Sequence, residues 1–96
     1  MERDEIIETL RRHMAEIRAH GVARLALFGS CVRGEERRDS DVDILVDFEA
    51  PVSIFEFLEV KDYLETLLGQ PVDLVMRRAL KPQLRDRILA EAVSAI

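Results

Sequence analysis

The chain has little cysteine, no long apolar run and no excess of basic residues, and each shortage excludes a class of protein. Its single cysteine, Cys31, rules out an internal disulfide and is typical of the reducing cytosol, so we expect a cytoplasmic protein. No apolar run reaches the ~18 residues of a membrane-spanning helix. The first residues lack a basic segment followed by an apolar one, so we expect no secretory signal.

The charge balance limits the partners of the protein. The net charge of −5 argues against general nucleic-acid binding, because phosphate backbones require a basic face. A bound nucleotide would need a metal ion and local arginines. With 48% apolar and 34% charged residues the composition is that of a globular protein, and 96 residues predict one domain, residues 1–96.

Two familiar metal sites are excluded by spacing. One cysteine and the histidines at 13 and 20 do not have the spacing of zinc ligands. The stretch from Asp39 to Asp43 resembles the start of an EF-hand loop. However, Ile44 stands where that loop needs glycine, and Ala50 stands where it needs its last glutamate.

The apolar spacing predicts alternating helices and strands. We expect helices over residues 3–20, from the Ser53–Glu56 capping box to Gly69, and from Pro82 through Leu84, Ile88, Leu89, Val93 and Ile96, with one or two helical turns in residues 30–35. We expect strands over Val22–Phe28, Asp41–Phe48 and Pro71–Met76. This order predicts an α/β (α+β) fold, a small mixed sheet with helices packed mainly on one face in two layers.

An acidic pair opens the second predicted strand. Side chains alternate along a strand, so Asp41 and Asp43 point the same way with Cα atoms about 6.6 Å apart. At a charge separation of about 5 Å they repel by about 3 kcal/mol, which a divalent cation would offset. If the third strand pairs with the second, Asp73 joins them, and the three acids predict a site for one or two Mg²⁺ ions. Asp73 is also a candidate proton acceptor; its structural alternative is a strand-edge acid that meets solvent or an arginine.

A Gly-Ser pair closes the first predicted strand and suits phosphate binding. Gly29 lets the backbone approach an anion, and Ser30 can cap the following turn or bind a phosphate oxygen. Arg33 is a candidate phosphate ligand, with Arg37 and Arg38 less favoured. The interleaved acids leave a solvated loop with local ion pairs as the alternative.

These residues together resemble a known family. Gly29-Ser30, ten intervening residues and then Asp41-x-Asp43 resemble the signature of the nucleotidyltransferase superfamily related to DNA polymerase beta. Further segments resemble its minimal nucleotidyltransferase (MNT) branch: Arg33-Gly34-Glu35, Ser40, Pro71–Val75 and the tail from Leu80 to Ala92. The resemblance covers nearly the whole chain.

The resemblance implies a fold, a chemistry and a partner. It implies two Mg²⁺ ions on Asp41, Asp43 and Asp73, and an ATP whose phosphates meet Gly29 and Ser30. Members of the branch are commonly antitoxins of HEPN-domain ribonuclease toxins, and some transfer AMP from ATP to a toxin tyrosine. We therefore expect a hetero-oligomer with a HEPN-type toxin, which would complete a site that so short a chain cannot build alone. The alternatives are a non-catalytic antitoxin that acts by binding, and a nucleotidyltransferase acting on a small molecule.

Overall fold

The computed structural model of the protein describes residues 2–29, 32 and 41–96. The elements in chain order are α1 Arg3–Arg12, α2 Met14–Ala19, β1 Val22–Phe28, β2 Val42–Phe48, α3 Ile54–Leu68, β3 Val72–Met76, a 3₁₀ turn Arg77–Ala79, α4 Pro82–Glu91 and β4 Val93–Ser94. No helix in these residues combines the length and apolar character needed to cross a membrane.

The strands form one mixed sheet in the order β3-β2-β1-β4. β1 runs antiparallel to both β2 and β4, whereas β2 and β3 are parallel. The parallel pair is possible because α3, which lies between β2 and β3 in the chain, returns the chain to the end of the sheet where β2 starts. A small mixed sheet with helices confirms the predicted fold class.

Alternation along β2 separates a core face from a polar face. Val42, Ile44 and Val46 are buried in the main core. The intervening residues, which include Asp43 and Asp47, therefore point to the opposite face. The acids of β2 thus lie on the face away from the main core.

The core lies between the sheet and helices α1, α2 and α3. Each helix contributes apolar residues at helical spacing, and the strands contribute the facing side chains. The cluster consists of Ile6, Leu10, Ile17, Val22, Leu25, Leu27, Val42, Ile44, Val46, Val60, Leu64, Leu68, Val72, Leu74 and Ala95. On the other face, Leu89 and Ala92 line a small cavity of about 170 Å³ together with Leu45.

Local signals fix both ends of α3. Ser53 Oγ accepts a hydrogen bond from the Glu56 N–H at 3.1 Å, and Glu56 Oε1 accepts one from the Ser53 N–H at 3.2 Å, which confirms the predicted capping box. The helix ends at Gly69, whose φ of 68° is the left-handed conformation that favours glycine. Four residues after Leu68, β3 begins at Val72.

The first predicted helix is wrong as a continuous helix. It is interrupted at His13, where the backbone N–H donates to Leu10 O at 3.2 Å. The ring Nδ1–H of His13 donates to Thr9 O at 2.9 Å, so the side chain uses the carbonyl that a regular helix would offer to the backbone. The interruption divides the segment into α1 and α2.

The last predicted helix is also wrong at its end. It stops at Glu91, and Val93 and Ser94 pair with β1 as the edge strand β4. Val93 and Ile96 fit a helical spacing, but they fit the sheet equally well, and pairing with β1 decides the outcome. The helical turns predicted for residues 30–35 lie outside the described residues, except for Val32, whose N–H donates to Gly29 O at 3.2 Å.

Candidate active site

Two of the three predicted acids are neighbours across the parallel strand pair. Asp43 and Asp73 are register partners in β2 and β3, and partners in a parallel pair project from the same face. Asp73 is exposed and Asp43 is half-buried. Asp41 lies one residue before β2 begins and is exposed. The strand pairing on which the prediction for Asp73 depended is therefore present.

The acids have the donor chemistry that a hard cation requires. Carboxylate oxygens are the ligands that Mg²⁺ prefers, and two neighbouring carboxylates repel each other unless positive charge is near. Within residues 2–29, 32 and 41–96, however, the side chains form no group of three or more acids, histidines or cysteines close enough to hold a metal ion. The acids therefore suit Mg²⁺ in donor type and in their position at one end of the strands. Their side chains, however, do not converge on one point in the described structure.

Gly29 lies against Asp43 at the end of β1. Phe28, the residue before it, is the register partner of Asp43. Gly29 is buried with a φ of 74°, and a Cβ added to it would lie 2.0 Å from Asp43 Oδ2. Any side chain here would overlap the carboxylate and strain the backbone, so both constraints require glycine. Gly29, predicted to bind phosphate, and Asp43, one acid of the predicted pair, therefore meet in one place.

Glu91 is a residue of this site that the sequence analysis did not single out. Its Oε1 accepts a hydrogen bond from the Gly29 N–H at 3.2 Å. Sixty-two positions separate the two residues in sequence, and no spacing rule connects them. The only signal was its place in the tail that resembles the MNT branch. The carboxylate reaches Gly29 because α4 ends where β4 joins β1.

The remaining predicted site residues lie outside the described part of the chain. These are Ser30 and Arg33, together with the less favoured Arg37 and Arg38. Their roles in phosphate binding stay predictions. Cys31 lies in the same stretch.

A basic cleft lies at the opposite end of the parallel strands. Arg77 donates to both carboxylate oxygens of Asp47, with Nε–Oδ1 at 3.3 Å and Nη2–Oδ2 at 3.0 Å. Arg78 and Arg85 line the same cleft of about 480 Å³. This end is therefore distinct in charge from the Asp43–Asp73 end.

The fold and this site together define a class of enzyme. A mixed sheet that sets a glycine turn against an Asp-x-Asp strand, with a third acid on the parallel neighbour, is the arrangement expected of a nucleotidyltransferase. The chain belongs to the nucleotidyltransferase domain family, which it matches over residues 7–95.

The most similar proteins include minimal members of that family. Over 91 residues the chain is 50% identical to the protein adenylyltransferase MntA of Thermococcus cleftensis, a match that covers 94% of this chain and 92% of that protein. It is 41% identical to a solved structure provisionally described as a minimal nucleotidyltransferase, with a TM-score of 0.74 over 97% of this chain and 95% of that one. The protein is thus a nucleotidyltransferase of the minimal branch.

A third similarity concerns a complex. A crystal structure of a toxin-antitoxin with AMP-PNP contains a chain that is 25% identical, with a TM-score of 0.70. The match covers all of this chain and 73% of that chain. The fold of this protein therefore occurs in a toxin-antitoxin assembly that binds an ATP analogue.

Proposed function

We propose that the protein is the antitoxin of a HEPN/MNT toxin–antitoxin pair and transfers AMP from ATP to a tyrosine hydroxyl of its toxin. The observation that carries this proposal is the meeting of Gly29, Asp43 and Asp73 at one end of the strands. The 50% identity to a protein adenylyltransferase supports a protein as the acceptor. The likeness to a toxin-antitoxin complex with AMP-PNP supports both the partner and the nucleotide.

In this proposal the acids hold the metal. Asp41, Asp43 and Asp73 would bind two Mg²⁺ ions, and the sheet face and donor type of these acids suit that role. When bound, Mg²⁺ neutralises phosphate charge and stabilises the attacking and leaving oxygens. In the described part of the chain no lysine or arginine forms an ion pair with Asp41 or Asp73, so these two carboxylates are available to a cation.

The chain's own residues bind the nucleotide and receive the proton. Gly29 leaves room for the Asp43 carboxylate, and Ser30 and Arg33 bind phosphate oxygens. The tyrosine oxygen forms a bond to the α-phosphorus, and the bond to the bridging oxygen breaks so that pyrophosphate leaves. Asp73, which is exposed at the strand edge, accepts the proton of the attacking hydroxyl.

The surface of α3 suits a protein partner. Ile54, Phe55 and Leu58 lie on its first turns and are 62%, 76% and 44% exposed. Apolar side chains clustered this way are typical of an interaction surface. They support a hetero-oligomer with the toxin, in the cytosol that the lone Cys31 fits.

The proposal is tested with a partner protein that co-purifies with this chain, which the proposal predicts to be a HEPN-type toxin. The two proteins are purified together and incubated with Mg²⁺ and α-labelled ATP. Label should appear on the toxin, should disappear in the D41N/D43N double variant, and should disappear when the acceptor tyrosine is replaced by phenylalanine. Asp47→Asn is the matched control, because Asp47 lies on the same face of the same strand and pairs with Arg77.

Two other outcomes would replace the proposal. If D41N/D43N neutralises the toxin as well as the wild type does, the protein acts by binding alone, and the exposed surface of α3 becomes the main functional feature. If label enters a small molecule and never the toxin, the acceptor is not a protein. Label on the toxin that persists in D41N/D43N would contradict the assigned acids.

A further inference from the structure

The C-terminal tail brings a carboxylate to the glycine turn of the active site. β4 pairs with β1 through Leu27↔Val93 and Ala26↔Ser94. Because Val93 lies beside Leu27, the end of α4 lies close to the end of β1. Glu91 consequently reaches Gly29 across 62 positions of sequence.

The tail is anchored independently of Glu91. The N–H groups of Ala95 and Ile96 both donate to Leu25 O, at 2.9 and 3.2 Å. Arg11 Nε donates to Ala95 O at 2.9 Å, which ties the tail to α1. Ala95 is also buried in the main core. The segment that follows Glu91 is therefore held by contacts that do not involve the active site.

Both polar groups of Gly29 are engaged in the structure. Its N–H donates to Glu91 Oε1 at 3.2 Å, and its carbonyl accepts from the Val32 N–H at 3.2 Å. These bonds hold the φ of 74° that places the Gly29 Cα against Asp43. The Gly29 amide is thus occupied by a protein carboxylate. Gly29 therefore serves the nucleotide through its lack of a side chain rather than through its own N–H.

We propose that Glu91 is a positioning residue that holds the Gly29 turn against Asp43 and so keeps the triphosphate site in register with the acids. This inference rests on the proposed function only in its second half, the effect on the nucleotide. A hydrogen-bond acceptor is the property required of residue 91, since it is the oxygen that meets the amide. Glutamine keeps that oxygen, whereas alanine removes it.

The test compares Glu91→Ala, Glu91→Gln and the control Asp86→Ala, an exposed acid on the same helix. Amide hydrogen exchange measured by NMR should show Gly29 protected in the wild type and in E91Q. Its protection should fall about tenfold or more in E91A, while the protection of Leu25 and Leu27 in β1 stays unchanged. Thermal unfolding of each variant establishes that it is folded.

Nucleotide binding is measured on the same variants with Mg-ATP. E91A should weaken binding about tenfold and raise the KM for ATP more than it lowers kcat, because a displaced turn weakens contacts made in both ground and transition states. E91Q should recover most of the affinity, and D86A should match the wild type.

The results distinguish the positioning role of Glu91 from the proposed nucleotidyltransferase function. Unchanged Gly29 protection in E91A would overturn the positioning role. The role would also be overturned if E91A lost protection at Gly29 but bound Mg-ATP as tightly as the wild type does. An E91Q variant as impaired as E91A would show that charge, not the acceptor, matters, which also contradicts the inference. A wild type that binds no Mg-ATP would overturn the proposed function, and the exchange data would still decide whether Glu91 holds the turn.

Discussion

The two ends of the β2–β3 strand pair differ in the charge of the residue that lies beside an aspartate of β2. Asp43 and Asp47 lie on the same face of β2. Asp47 receives two hydrogen bonds from Arg77, just past the end of β3, whereas the partner of Asp43 across the same strands is another acid, Asp73. One end joins opposite charges and the other places like charges together. On the proposed function, Asp47 supports the folded structure, whereas Asp43 and Asp73 serve to bind a ligand.

The energetic consequences of this difference are unequal. The side chains of Arg77 and Asp47 are 38% and 33% exposed, so solvent screens their ion pair and it contributes at most about 1 kcal/mol. Two carboxylates at the other end destabilise the fold unless positive charge is near. A cation bound at that end would therefore add to the stability of the fold.

The largest effect is expected when the glycine at the acidic end is replaced. Gly29→Ala adds a Cβ that would lie 2.0 Å from Asp43 Oδ2 at a residue with a φ of 74°. We expect a loss of about 3 kcal/mol in the free energy of unfolding, from backbone strain and overpacking together. Nucleotidyl transfer should fall at least a hundredfold, since the displaced turn and carboxylate both belong to the site.

Gly69→Ala is the matched control for this substitution. Gly69 has a similar φ of 68°, but an added Cβ would meet nothing within 4 Å. It should cost only the strain of the left-handed conformation, about 1 kcal/mol, without loss of transfer. Urea unfolding and the labelled-ATP assay measure the two effects. Equal losses of stability in both variants would show that Gly29 does not press against Asp43.

The second prediction contrasts the same substitution at two aspartates of one strand. Asp47→Asn should lower stability by up to about 1 kcal/mol and leave AMP transfer unchanged, because it weakens only the pair with Arg77. Asp43→Asn should abolish transfer, because it removes one of the carboxylates proposed to bind Mg²⁺ beside Asp73. The measurements are melting temperatures without Mg²⁺ and transfer rates with it. Transfer that persists in D43N would mean that Asp43 has no role in the reaction, and the contrast between the two ends would be lost.

Local patterns were enough to predict most elements. The strand with Val42, Ile44 and Val46 on one face follows from alternation alone, and the start of α3 follows from the Ser53 capping box. The alternation also placed Asp43 on the polar face of β2, whereas Asp41, predicted as the first residue of the strand, lies one residue before it. The position of Asp73 needed one further condition, that the strands on either side of α3 lie side by side, and the structure meets it.

Features that depend on distant contacts could not be predicted in this way. The break at His13 depends on a ring nitrogen that takes the Thr9 carbonyl, a choice that apolar spacing does not reveal. The end of α4 depends on pairing with β1, since Val93 suits either a helix or a strand. The contact of Glu91 with Gly29 follows from that pairing, so a predicted helix that continues past Glu91 does not reveal it.

The smallest effect is expected at the point where α3 anchors β3. Glu65 Oε2 accepts a hydrogen bond from the Val72 N–H at 2.8 Å, one residue before Asp73. This bond, with a smaller contribution from Lys61, outweighs desolvation and lowers the pKa of Glu65 from its ordinary value of 4.5. Because the folded pKa lies below the unfolded one, the carboxylate stabilises the fold above about pH 4.5. That contribution is lost as the pH falls through the folded pKa.

Glu65→Gln should therefore make stability less dependent on pH in this acidic range. The wild type should be more stable than E65Q near neutral pH, and the difference should shrink as the pH falls below about 4.5. Urea unfolding at a series of pH values measures it, with Glu59→Gln, an exposed acid on the same helix, as the control. A constant difference across the series would mean that the Val72 bond does not distinguish the charged from the neutral side chain. The Val72 bond lies at the start of β3 and so supports the placement of Asp73 beside Asp43. A constant difference would therefore also mean that this anchor of Asp73 is weaker than its geometry indicates.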